Sequence, residues 1–313
     1  MNVPVFDLHC DTVNELIGSA CKTPISLRKN SAHIDLERAS KLGSYAQCFA
    51  CFTTPSAERN PVDVFEKMLG SLIGQIEANH DLIRIAYSAR EIEANKNNGL
   101  MSAILTLEGT AGFGYDPALL EDLYNIGFRI SSLGWNENNL LTGSHVTGGG
   151  LTDRGRQYVL EAQRLGMLID VSHISDEGFW DIMEITQAPI LATHSNSRHI
   201  CNASRNLTDD MFRAICNTGG VAGINLYTDF IGGANDLDAL CDHVFHFMEL
   251  DPSGKHIALG GDLDGCDTLC AGISGIQDYT GIADKLLERG LTQQNVLDIF
   301  WNNAIGVIDK CCM

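Results

Sequence analysis

Six side chains able to bind a metal or move a proton, His9, Asp11, Glu108, His173, His194 and Asp262, each close a short apolar run. The runs cover residues 5–9, 44–52, 101–108, 129–135, 168–173, 189–194, 220–227 and 257–262. Segments with helical apolar spacing separate most of them, at 61–79, 117–126, 152–165, 176–186, 208–218 and 236–250. Strand and helix alternating in this way call for parallel pairing, and eight strands predict an α/β fold closed as a (β/α)8 TIM-type barrel. In such a barrel the chemistry gathers where strands end and βα loops begin, which is where these six residues fall.

The 313 residues are 44% hydrophobic, enough for a large core, and no linker or repeat divides them. A single barrel domain over 1–313 is therefore expected, closed by helical segments at 278–289 and 292–308. With 21 Lys and Arg against 40 Asp and Glu, the net charge of −19 disfavours nucleic acid and anionic lipid as partners. Residues 1–11 lack a basic, apolar leader, and no apolar stretch reaches the roughly 18 residues that span a bilayer. Eleven scattered cysteines in a chain of this size fit reduced thiols, so a cytoplasmic location is expected. Cys48 and Cys51 form a C-x-x-C inside a strand and read as buried thiols, while Cys311 and Cys312 fall at an end expected to fray.

In VFDLHCD simple alternation puts Asp7, His9 and Asp11 on one face, with His9 and Asp11 about 7 Å apart at Cα and Asp7 deeper. Glu108 ends a buried strand, where an unpaired carboxylate is costly; pairing with Arg129 or metal binding would relieve it. A carboxylate can bridge two ions about 3.5–4 Å apart. His173 and His194 end successive strands and suit a zinc-like ion as neutral imidazoles. Asp262 can take a proton from metal-bound water and return it to a leaving amine, whereas Asp264, before Gly265, reads as a turn residue. His243 and His246, three apart on a predicted helix, read as packing or surface residues. The Gly-rich loop 134–150 is expected to shape or cover the site, and no phosphate loop or serine-hydrolase elbow is present.

The ordered set FDLHCD, LEG, DVSH, ATHSNSR followed by RNLTDD, and GGDLDG resembles the renal-type membrane dipeptidases, zinc-dependent relatives of the amidohydrolase superfamily, over nearly the whole chain. The resemblance implies two Zn2+ ions, one on His9, Asp11 and Glu108 and the other on Glu108, His173 and His194. It implies that Arg205 binds a dipeptide carboxylate, an alternative to pairing with Asp209 or Asp210, and that Tyr227 touches substrate. It further implies hydrolysis of small dipeptides by metal-bound hydroxide, with a D-residue allowed at the C-terminal position, and a homodimer. Where some family members carry a substrate-contacting histidine, this chain has Gly134, Trp135 and Asn136, leaving Asn136 or His145 to meet the oxyanion. Amidohydrolysis of N-acyl amino acids, lactones or cyclic amides, and a catalytically silent metal-binding barrel, are the rival readings.

Overall fold

The computed structural model describes residues 3–18, 23–55 and 59–312. In chain order its strands are β1 (Val5–Cys10), β2 (Tyr45–Phe52), β3 (Ile83–Ile85), β4 (Met101–Glu108), β5 (Phe128–Ser132), β6 (Thr142–Ser144), β7 (Gly148–Leu151), β8 (Leu168–Asp170), β9 (Ile190–Ala192), β10 (Val221–Ile224) and β11 (Ile257–Leu259). Eight of them close a parallel barrel in the order β1, β2, β4, β5, β8, β9, β10, β11 and back to β1. The expected barrel is thus observed. The three-residue β3 adds to the first part of β4, beside which β5 pairs with the second part. With the helix Ala89–Asn97, β3 was not anticipated, because three residues carry no readable period.

One buried cluster draws side chains from every barrel strand: Phe6 and Leu8, Ala46 and Cys48, Ile104, Ile130, Leu168, Leu191, Val221 and Ala258. Trp301, Ala304, Val307 and Ile308 join it from the C-terminal helices, so the chain's last segment seals the end of the barrel remote from the strand ends. The expected helix 292–308 is Gln293–Leu297, capped by Thr292 and Asn295, then a π turn at Asp298–Asn302, then Asn303–Cys311. Cys312 is buried rather than frayed, because it packs in the same cluster. A larger apolar layer lies between the strands' outer faces and the surrounding helices.

Strict alternation fails in β1. Its register with β2 shifts between Asp7 and Cys10, a bulge that re-aims the following residues. Leu8 stays in the inner cluster, while Asp7 turns to the helix layer, where Tyr279 donates to it. Asp7 also accepts from the backbone N–H groups of His9 (2.9 Å) and Gly261 (3.0 Å), which ties the end of β1 to the loop after β11. Cys48 and Cys51 are buried thiols, with Cys51 pushed up to about 12 by burial, as a structural role requires. Among the described residues no helix is long and apolar enough to cross a membrane.

Candidate metal centre

All six strand-end residues converge above the barrel. His9 Nε2 lies 3.3 Å from Asp11 Oδ2, 3.5 Å from Glu108 Oε2 and 3.9 Å from Asp262 Oδ1. The other oxygen of Glu108, Oε1, lies 2.9 Å from His173 Nε2 and 3.7 Å from His194 Nε2. Glu108 therefore presents one oxygen to each of two donor groups. Arg129 plays no part: it donates to the carbonyls of Tyr87, Tyr124 and Phe128 instead. Burial pushes Glu108 up to about 7 and Asp262 up to about 6, with Asp11 adding to both shifts and His9 opposing both.

The strands end earlier than the apolar runs suggest, and the reason is local. Asp170 turns its carboxylate onto the N–H groups of Ser172 and Thr193, both at 2.9 Å, and stops the β8 ladder. His173 then takes a left-handed backbone, φ 70°, and Asp262 does the same after β11, φ 56°. Non-glycine residues held there are strained, and such strain concentrates at functional sites. Asp264, φ 67°, is the turn residue expected, accepting from Thr12 and from the backbone of His33.

The supporting hydrogen bonds fix both imidazole tautomers. Thr193 Oγ1 gives its proton to Asp170 Oδ2 (2.6 Å) and so accepts from His194 Nδ1 (2.8 Å). Asn136 Oδ1, which can only accept, takes N–H bonds from His173 Nδ1 and His145 Nε2, both at 2.8 Å. His145 Nδ1 in turn accepts from Ser204 at 2.8 Å. Both Nε2 atoms of His173 and His194 are thus unprotonated, and they stand 2.9 Å apart. Burial holds both imidazoles well below their usual range, and the positive charge of Arg205 adds to it. Around His9 the opposite holds: burial lowers its pKa, but Glu108 and Asp11 outweigh it and raise the group.

Arg205 is buried, donating to Ser195 Oγ (3.1 Å) and the carbonyl of His194 (3.2 Å), with Nε lacking a partner. Neither expected acid pairs with it, since Asp209 meets His246 and Asp210 meets Arg213. Phe230 lies under its guanidinium at 5.4 Å, and Tyr227 packs edge-on to Phe230 at 5.0 Å. Trp135 sits against Phe52 and 6.1 Å from the His173 ring. The loop 134–150 folds back as the antiparallel β6–β7 hairpin and brings His145 to Asn136. Six contributors escaped sequence reading: Thr193, Asp170, Ser195, Ser204, Phe230 and Asn225, whose Nδ2 holds Asp262 Oδ2 at 3.1 Å.

A sequence profile of the family described as Membrane dipeptidase (Peptidase family M19) matches residues 1–311. An uncharacterized dipeptidase of Schizosaccharomyces pombe is 31% identical over 214 residues, 66% of this chain and 52% of that protein, so the chain spans about half its length. A Klebsiella pneumoniae protein from the pqqA 5′ region is 30% identical over 267 residues, 81% of this chain and 98% of the relative. A Rhodobacter sphaeroides metallo peptidase, solved with a phosphinate mimic of the dipeptide L-Ala-D-Ala, shares the fold with a TM-score of 0.90 at 24% identity, covering 99% of this chain and 100% of that one.

Proposed function

Because the chain belongs to the membrane dipeptidase family, peptidase family M19, we propose that it hydrolyses the peptide bond of small dipeptides at the strand-end cluster. The observation that carries this reading is the 2.9 Å approach of two unprotonated Nε2 atoms, on His173 and His194, beside an oxygen of Glu108. Two lone pairs and a carboxylate oxygen at that spacing repel unless a cation lies among them, so the donor set fits a divalent metal. Glu108 Oε1, His173 and His194 would hold one ion, and Glu108 Oε2, His9 and Asp11 a second. Nitrogen and carboxylate donors of this kind suit Zn2+, with Co2+ and Mn2+ as substitutes. When bound, such ions supply Lewis acidity that lowers the pKa of water and polarises a carbonyl.

The protein's own groups do the rest. Asp262, oriented by Asn225, accepts the proton of the attacking water and returns it to the amine, which must leave neutral. Arg205, with its unpartnered Nε, takes the substrate carboxylate in a two-point contact, on a guanidinium backed by Phe230. Asn136 spends its oxygen on two histidines, which leaves its Nδ2 to donate to the developing oxyanion. His145 holds Asn136 in place, and Tyr227 lines the carboxylate end beside Phe230. The ligand in the Rhodobacter protein suggests a D-residue at the C-terminal position. Free thiols among the described cysteines support a reducing, cytoplasmic setting; a homodimer rests on the family resemblance alone.

The test is amino-acid release from L,L- and L,D-dipeptides and their N-acetylated counterparts, with zinc-loaded and chelator-treated protein. Metal-dependent cleavage of the free dipeptides is expected. Cleavage confined to acylated substrates would move the assignment to N-acyl amino acids, and none at all would leave a silent barrel.

A further inference from the structure

A second group of metal-capable side chains lies outside the strand-end cluster. His199, Asp209 and His246 bring one donor atom each within 4.8 Å of one another. His246 Nε2 is 2.9 Å from Asp209 Oδ1, and the two imidazoles stack with centroids 4.4 Å apart and planes 6° from parallel. The three come from different parts of the chain: the loop after β9, the first residue of the helix Asp209–Thr218, and the helix Leu237–Leu250. His246 is buried, Asp209 half-buried and His199 exposed, so the group is anchored on one side and open to solvent on the other.

We infer that His199, Asp209 and His246 form a peripheral divalent-cation site distinct from the strand-end cluster. Two imidazoles and one carboxylate are borderline donors suited to Zn2+, Co2+ or Ni2+, and the open side leaves positions for water. His246 Nε2 bonds Asp209 Oδ1 at 2.9 Å, and a bound cation would take the place of the proton they share, with Glu249 Oε2 3.7 Å from His246 Nδ1 on the other side of the ring. His243, one turn away, is excluded: its Nδ1 accepts from the backbone of Ser197 and its Nε2 donates to the carbonyl of Ile231.

The position gives the site a consequence. His199 lies between His194 and Arg205 in sequence, in the loop whose other fastenings include the ion pair of Arg198 with Asp176 at 2.6 Å. An ion tying His199 to two helices fixes the segment that presents Arg205. On the dipeptidase reading, its occupancy lowers KM and leaves kcat unchanged.

Equilibrium dialysis against Co2+ at micromolar free concentration, starting from protein with its strand-end ions loaded, tests the site by counting ions per chain. Wild type is expected to bind one ion more than His199→Ala and than His246→Gln, with a visible cobalt band lost in both variants. His199 is exposed, so its removal leaves the fold intact even if the buried His246 variant is unstable. Equal counts in wild type and His199→Ala, or an added ion only at millimolar concentration, would overturn the proposal. The count does not depend on turnover, so a protein that cleaves no dipeptide but binds the extra ion refutes the functional reading alone.

Discussion

Thr193→Val removes one buried hydroxyl while keeping the shape of the side chain. Thr193 is 1% exposed, and its oxygen accepts from His194 Nδ1 at 2.8 Å while donating to Asp170 Oδ2 at 2.6 Å. Valine leaves the imidazole N–H and one carboxylate oxygen without those partners. An unsatisfied buried group costs about 1–3 kcal/mol. Asp170 keeps the two backbone N–H bonds to its other oxygen, so the fold is expected to survive. The loss falls on His194, whose tautomer and ring orientation are no longer fixed. Groups in this supporting position typically change metal affinity 10–100-fold, or about 1.4–2.8 kcal/mol. Competition against a chromogenic chelator reads the effect, and Thr193→Ser, which keeps the hydroxyl, should restore most of it. Metal affinity within twofold of wild type in Thr193→Val would refute the claim that Thr193 sets the ligand form of His194.

Arg205→Lys keeps the charge and loses the planar fork, so KM for dipeptides should rise about 10–100-fold with little change in kcat, as initial-rate kinetics would reveal. Asp262→Asn should lower kcat by about 10²–10⁴-fold with unchanged metal content, measured by turnover and elemental analysis on one sample. Gly265→Ala should abolish activity with a small shift in melting temperature, since a Cβ there overlaps Asp11 Oδ2 and Asp262 Oδ1. Burial, helped by Arg205 and Arg198, pulls His145 from 6.5 down to about 4, so the unfolded chain binds the proton first on acidification. Its contribution is therefore present above pH 6.5 and lost as pH falls towards 4, and urea midpoints for His145→Gln should fall less over that window than those of wild type.

The barrel and its ligands were legible because burial on both faces writes parallel strands as apolar runs, and a charged residue closing such a run stands out. Illegible were the contacts that exist only once the barrel closes. The link from Asp170 through Thr193 to His194 joins β8 to the residue after β9, and nothing in ILATH marks that hydroxyl as different from any strand threonine. The chain from His173 through Asn136 and His145 to Ser204 spans three loops. Alternation wrongly grouped Asp7 with His9 and Asp11 because a bulge after Asp7 shifts the rest of β1, and a one-residue shift exchanges faces. His246 read as ordinary packing because its partners lie 37 and 47 positions away, in the 209 and 199 segments.

The most direct test of the account is a crystal of the zinc-loaded protein measured at the zinc absorption edge. Two anomalous peaks are predicted at the strand ends, one between Glu108 Oε1, His173 and His194, the other between Glu108 Oε2, His9 and Asp11. A single peak, or none touching Glu108, would contradict the bridging role on which the proposed hydrolysis depends.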